Sequence, residues 1–303
     1  MQLGMVGLGK MGANMTTRLL QGGHSLFVTD LSEEAIALSV ADGAQGAVDV
    51  ASLVAQLEAP RVVWVMVPAG RATESVITQL GDTLSPGDIV IDGGNSNYKD
   101  TMRRADALRQ KEIQMVDVGT SGGVWGLAEG YSMMIGGDEQ AIEHLRPIFE
   151  TLAPSAETGW GRVGPTGSGH FAKMIHNGIE YGMMQAFAEG FAILRAKSEF
   201  GYDLSEVARI WQHGSVIRSW LLDLTKGALD VDEELANIAP YVMDSGEGRW
   251  TVFEAIDLNV SAPVITTALE RRIRSREDGY TEKLISMMRN AFGGHAVVKE
   301  EPK

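Results

Sequence analysis

Cysteine is absent from the 303-residue chain. That excludes a disulfide framework, a thiolate metal site and a cysteine nucleophile, and it fits a reducing compartment. Basic residues are in the minority, 26 Lys and Arg against 40 Asp and Glu, for a formal net charge of −14. A nucleic-acid binder neutralises phosphates with a basic surface, so that class is disfavoured from the start. An anionic ligand would have to be held by a few local cations working against the overall field. No run reaches the roughly 18 apolar residues of a membrane-spanning helix. The opening segment MQLGMVGLGKMG also lacks the basic-then-apolar order of a secretory leader. A cytoplasmic protein is expected, with neither membrane nor nucleic acid as partner.

What is present is an ordinary globular composition, 44% hydrophobic and 22% charged, at a length that suits one large domain or two average ones. Over the first half, short apolar runs at Gln2–Val6, Ser25–Thr29, Arg61–Val67, Asp88–Ile91, Gln114–Val118 and Tyr131–Ile135 read as buried strands. Amphipathic stretches lie between them, at Met11–Gln21, Val50–Leu57, Arg71–Leu80 and Lys99–Lys111. This alternation predicts right-handed crossovers and a parallel, doubly wound α/β sheet of Rossmann type over residues 1–162. The texture changes at Gly164. A helical pattern without proline runs over His170–Ser198, followed by others at Leu204–His213, Val231–Ile238, Trp250–Leu258, Pro263–Ser275 and Glu282–Phe292. An all-α second domain over 163–303, ending in a charged tail, is the economical assignment.

The run Gly7-Leu8-Gly9-Lys10-Met11-Gly12 follows the first strand and opens the first helix. In a dinucleotide fingerprint the first glycine permits the tight turn, the second admits a pyrophosphate, and the third lets helix and strand pack closely. A plain glycine-rich turn is the alternative, and the position between strand and helix argues against it. The second strand ends at Asp30, near the ~20-residue spacing expected of the acid that binds the adenosine ribose and repels a 2′-phosphate. Asp30 could instead cap the next helix, a role open also to Ser32. No arginine follows in Leu31-Ser32-Glu33, which favours NAD, with NADP possible.

A second signal lies on the long helical run. Lys173, His176, Asn177 and Glu180 fall at i, i+3, i+4 and i+7, one face of a helix. A solvated face is the ordinary explanation. The flanking Phe171, Met174, Ile175, Ile179, Met183 and Met184 favour instead a cleft lined by an amine, an imidazole, an amide and a carboxylate, suited to proton transfer.

The run from Gly164 to Gly182, GPTGSGHFAKMIHNGIEYG, resembles the signature of the decarboxylating 6-phosphogluconate dehydrogenases, in their shorter form. Asp92-Gly93-Gly94-Asn95-Ser96, Ser121-Gly122-Gly123, Gly248-Arg249-Trp250-Thr251 and Arg289-Asn290-Ala291-Phe292-Gly293-Gly294-His295 agree with it. The resemblance implies oxidation of 6-phosphogluconate at C3 and loss of C1 as CO2, giving ribulose 5-phosphate. Lys173 matches the family's base, whose ammonium form then polarises the new ketone so that the carboxylate departs without a metal. Glu180 matches its acid. Asn95, Ser121, Gly122, Gly123, His176 and Asn177 match positions that bind substrate, and Tyr181, Arg272, Arg289 and His295 those that bind its phosphate. Arg289 and His295 reach in from a neighbouring subunit in this family, which implies a homo-oligomer, a dimer or tetramer. Gly7 to Gly12, Asp30, Val67, Pro68 and Asn95 correspond to the cofactor site.

Two departures stand out. Ser245 and Glu247 occupy places where the longer form has a lysine and a threonine, with Arg249 following in the motif. Pro68 replaces a lysine and Asp30 stands at the ribose corner, and both remove positive charge, again favouring NAD. Two other functions remain to be distinguished. One is a β-hydroxyacid dehydrogenase acting on an unphosphorylated acid such as 3-hydroxyisobutyrate. The other is a non-catalytic NAD-binding scaffold on the same fold.

Overall fold

Runs rich in Val, Ile, Leu and Met, bounded by Gly, Asp and Pro, form the strands of the computed structural model, which describes residues 1–293 and 296–298. The chain divides into two compact units, Met1–Asn177 and Gly178 onward. In the first, β1 (Gln2–Val6), α1 (Lys10–Gln21), β2 (Ser25–Thr29), α2 (Glu33–Ala41), β3 (Gln45–Gly46), α3 (Val50–Ala55), β4 (Val62–Val65) and α4 (Arg71–Thr83) alternate. They are followed by β5 (Ile89–Asp92), α5 (Tyr98–Arg109), β6 (Gln114–Ser121), α6 (Gly126–Glu129), β7 (Ser132–Gly136), α7 (Glu139–Leu152) and β8 (Trp160–Gly164). The sheet order is β3-β2-β1-β4-β5-β6-β7-β8, so the direction of winding reverses between β1 and β4.

Both faces of the sheet are covered, which is why its strands read as continuous apolar runs. Leu3, Met5, Val62, Trp64, Ile89 and Ile91 meet Met15 and Leu19 of α1 and Leu145 and Phe149 of α7 on one face. Their neighbours Val6, Val63, Val65 and Val90 meet Leu53, Leu80 and Leu108 of α3, α4 and α5 on the other. The Rossmann-type expectation is met, and the first two strands coincide with those read from the pattern.

The sheet departs from all-parallel at one pair, since β7 runs antiparallel to β6. Only residues 122–131 separate them, and a parallel return needs a crossover of a dozen or more residues. The chain therefore turns back on itself, and the parallel order resumes with β8 after α7.

A long helix, α8 (Ser168–Ala196), crosses from the first unit into the second, where α9 (Leu204–Trp211), α10 (Trp220–Val231), α11 (Glu247–Asp257), α12 (Pro263–Arg274) and α13 (Tyr280–Gly293) follow. Small cores hold the helical unit: Phe191, Leu204, Ala208, Leu222 and Leu229 in one, Tyr181, Val252, Ala268 and Leu269 in another. The helix expected over Val231–Ile238 is not formed. Ser219 caps α10, which ends at Val231, and the Asp232 carboxylate then takes the amides of Glu234 and Ala236 into a turn. Val231, Leu235 and Ile238 have helical spacing but are exposed, and none of them joins a core cluster among the described residues. Among the described residues, no helix is long and apolar enough to cross a membrane.

Candidate active site

Three loops meet at the carboxyl ends of β1, β4 and β5, beside the point where the winding reverses, the usual place for a ligand in an open α/β sheet. Gly7 has φ +100°, and a Cβ there would lie 2.4 Å from the Met66 carbonyl oxygen. Gly12 is equally constrained, since its Cβ would fall 2.0 Å from the Gly7 carbonyl. Gly9 differs: nothing lies within 4 Å of its Cβ position. Two glycines thus serve packing, and the middle one leaves open the space before the amino end of α1. Leu8 is buried, Met11 half-buried and Lys10 exposed.

Asp30 closes this corner. Its Oδ2 accepts the Leu8 amide at 2.6 Å and its Oδ1 the Ser32 amide at 2.8 Å. The cap of α2 is Ser32, whose hydroxyl accepts the Ala35 amide. Of the two roles open to Asp30, capping is therefore taken by its neighbour. Half-buried Val67 and exposed Pro68 follow β4, and a Cβ on Gly94 would sit 3.1 Å from the Val67 carbonyl. Asn95 is exposed at the tip of the loop after β5.

That loop is braced from below. Buried Asp92 accepts the Gly94 amide at 3.2 Å and the Ser96 hydroxyl at 2.8 Å, and it lies 3.7 Å from Arg104 of α5. Arg104 also donates to Glu74 and to the Gly70 carbonyl, so one buried guanidinium spans the loops after β4 and β5. Glu74 bonds Arg103 and Arg104. The Arg103 hydrogen bond is the largest influence, and the two arginines together hold its carboxyl down at about 2 against the opposing effect of burial.

β6 ends in Ser121, followed by Gly122 (φ +128°) and Gly123 (φ +52°), a backbone suited to glycine. Lys173 of α8 is 6% exposed, and its Nζ lies 3.4 Å from His176 Nδ1, which is 3.1 Å from Asn177 Oδ1. The first unit thus gathers an almost buried amine with an imidazole and an amide along one helix face. Sequence reasoning missed the group that anchors this helix: Asp117 of β6, fully buried, accepts the amides of Gly167 at 2.6 Å and His170 at 2.8 Å. His170 is itself buried and bonded to Thr101 of α5 at 2.7 Å. An acid inside an otherwise apolar strand run was the available signal.

In the helical unit, Glu180 is half-buried on α8, and Tyr181 beside it is buried. The Arg272 guanidinium stacks on the Tyr181 ring 3.4 Å from its centroid and donates to the Met243 carbonyl. Of the neighbouring arginines, Arg274 is committed to Glu277 and Glu282. The Tyr181 hydroxyl lies 3.4 Å from Asp244 and 3.5 Å from Ser245. A Cβ on Gly248 would lie 2.4 Å from the Tyr181 ring, so that glycine is what allows α11 to approach. Arg249 donates twice to Asp244, while buried Glu247 accepts from Ser245 at 2.5 Å. Burial pushes the Asp244 carboxyl up, but Arg249 and the Gly246 amide outweigh it and hold it below its ordinary value. Arg289 is exposed on α13, and His295 lies outside the described residues.

A family model described as the NAD binding domain of 6-phosphogluconate dehydrogenase matches residues 2–161, and one for the 6-phosphogluconate dehydrogenase C-terminal domain matches 169–301. The Bacillus subtilis (strain 168) protein YqeC is 44% identical over 301 residues, covering 99% of this chain and 100% of its own. An NAD(+)-dependent, decarboxylating 6-phosphogluconate dehydrogenase of Haloferax volcanii is 41% identical over 303 residues, with 99% and 100% covered. Among solved structures, Plasmodium falciparum 6-phosphogluconate dehydrogenase superposes with a TM-score of 0.83 at 28% identity, over 100% of this chain and 67% of that one.

Proposed function

The chain belongs to the 6-phosphogluconate dehydrogenase family, with an NAD-binding domain at residues 2–161, and on that premise we propose that it oxidises 6-phospho-D-gluconate to ribulose 5-phosphate and CO2. The observation that carries the reading is Lys173, an amine 6% exposed beside His176 on the helix that also bears Glu180. An amine, an imidazole and a carboxylate along one helix are groups suited to proton transfer.

The residues present fit a dinucleotide. The space before Gly9 is open, the amides at the start of α1 offer donors to a pyrophosphate, and Asp30 is already oriented by the Leu8 amide. Residues 1–162 would hold the cofactor through Gly7 to Gly12, Asp30, Val67, Pro68 and Asn95, and 163–303 would hold most of the substrate. A nicotinamide dinucleotide held there would supply the acceptor for the hydride from C3.

Lys173 takes the C3 hydroxyl proton as the hydride departs. As an ammonium it then hydrogen-bonds the new ketone oxygen, drawing off the electrons that the breaking C1 carboxylate bond releases. Glu180 delivers a proton to the former C2 of the substrate, which becomes C1 of ribulose 5-phosphate, a step at the opposite end of the enediol from Lys173 and so one that calls for a second group. Asn95, Ser121, Gly122, Gly123, His176 and Asn177 orient the hydroxyls and carboxylate. Tyr181 and Arg272 meet the phosphate, joined by Arg289 and His295 of a neighbouring copy in a homo-oligomer.

The first test supplies 6-phosphogluconate with NAD or NADP in parallel and follows the absorbance of the reduced cofactor. Turnover with a higher kcat/KM for NAD is expected. A clear preference for NADP would keep the reaction and discard the role given to Asp30. Silence with both would discard the substrate and bring forward an unphosphorylated β-hydroxyacid.

A further inference from the structure

We propose that Asp117 is a positioning residue for Lys173, with β6 acting as the ruler that sets Lys173 against Ser121. The proposal rests on the reading of Lys173 as the base. Side chains alternate along a strand, so Asp117, Gly119 and Ser121 project from one face of β6. Each holds a different part of the same assembly.

Asp117 holds the start of the helix. The first amides of a helix have no partner within it and need an outside acceptor. A local side chain usually supplies one, but the Ser168 hydroxyl at this end is buried without a hydrogen bond. Asp117 takes the role from a distant strand, with one carboxylate oxygen on the Gly167 amide and the other on the His170 amide. Two bonds from a rigid strand set both the axial position of α8 and its rotation. The Thr166 hydroxyl, donating to the Met115 carbonyl at 3.1 Å, repeats the grip further back along β6.

Gly119 seats the lysine. A Cβ there would lie 2.4 Å from Lys173 Cβ and 2.6 Å from the Gly169 carbonyl, so the stem of Lys173 rests in the space this glycine leaves. Gly136 of β7 and Gly169 of α8 are cut back for the same fit. A Cβ on the first would lie 2.5 Å from the Asp117 carboxylate, and one on the second 2.7 Å from the Asp117 carbonyl. Continuing along the face, Ser121 stands at the end of the strand, where substrate is proposed to bind. The distance from amine to serine is thus set by a strand and a cap, not by a loop.

The test is steady-state kinetics with 6-phosphogluconate and NAD on Asp117→Ala, Asp117→Asn, Gly119→Ala and Lys173→Met, beside Asp138→Ala. Asp138 caps α7 through the amides of Gln140 and Ala141, and α7 carries none of the proposed site residues. Misplacing a reacting group by about 1 Å costs on the order of 100-fold. Asp117→Ala and Gly119→Ala are therefore expected to lose about 100-fold in kcat while KM for NAD stays within about twofold. Asp117→Asn, which keeps one acceptor, should recover part of that loss. Asp138→Ala should lower Tm with kcat unchanged. If Asp117→Ala keeps wild-type kcat per folded molecule, or loses no more than Asp138→Ala, the proposal is overturned. Should Asp117→Ala fail to fold, unchanged kcat in both Asp117→Asn and Gly119→Ala overturns it equally. Turnover surviving in Lys173→Met would overturn the base assignment itself, however the Asp117 variants behave.

Discussion

Asp30 and Asp117 of the α/β unit are each gripped by two backbone amides, whereas Asp244 of the helical unit takes one amide, from Gly246, and is otherwise surrounded by side chains, Arg249 and Tyr181. A carboxylate held by amides moves only if the chain moves. A guanidinium held by a carboxylate can trade one anion for another at the cost of a single ion pair. These carboxylates of the α/β unit thus fix backbone geometry, while Asp244 of the helical unit fixes a side-chain cation. The cores follow the same division. Two extended apolar clusters sandwich the sheet, while the helical unit holds only small cores and leaves Ile193, Ile256 and Val264 each about two-thirds exposed.

The comparison breaks most visibly at Lys173. Lys173→Met should lower turnover by about 10³-fold, within the range for a general base, and leave NAD affinity, read by fluorescence titration, within about twofold. Loss of NAD binding would mean that the lysine supports the cofactor fold and not the chemistry. Arg272→Ala comes next. A hydrogen bond to a charged partner is worth about 1.5–3 kcal/mol, so KM for 6-phosphogluconate should rise roughly 10- to 100-fold with KM for NAD unmoved. An effect on NAD alone would place the ligand charge in the wrong unit.

The smallest effect concerns Asp244. Its carboxyl is held below the ordinary value in the folded chain, so the folded state binds the proton less readily than the unfolded state. That stabilisation is present above the ordinary aspartate value, about 4, and is lost as pH falls through the lowered one. The wild-type Tm should therefore decline over this acid range, and Arg249→Met should flatten the decline by a few degrees at most in scanning calorimetry. An unchanged slope would show that Arg249 contributes nothing there.

Much of the α/β unit was legible because its constraints are local. Val, Ile and Met runs mark strands buried on both faces, and Gly7 and Gly12 cannot be other residues without meeting Met66 or Gly7 itself. β7 was read as a strand, but its direction depends on the length of the preceding connection, which no periodicity reports. The helical unit was less legible. Val231, Leu235 and Ile238 have the spacing of a helix face, yet Asp232 turns the chain and leaves all three exposed, which the spacing does not reveal. Lys173, His176 and Asn177 stood out by sharing a helix face. Asp117 and Arg104 did not, because each works by reaching segments far away in sequence, Asp117 to Gly167 and Arg104 to Glu74.

Glycine supplies 36 residues of this chain, an obvious reserve for anyone wishing to raise its working temperature. Replacing a helical glycine by alanine adds roughly 0.5–1 kcal/mol where there is room. Gly190 in α8 and Gly227 in α10 have nothing within 4 Å of a new methyl group and are the places to begin. The notch formed by Gly119, Gly136 and Gly169 is closed to such hardening, since any methyl there would drive α8 off its strand. A hardier version of this chain can be sought along the outer helices, but the seat of its lysine has to stay bare.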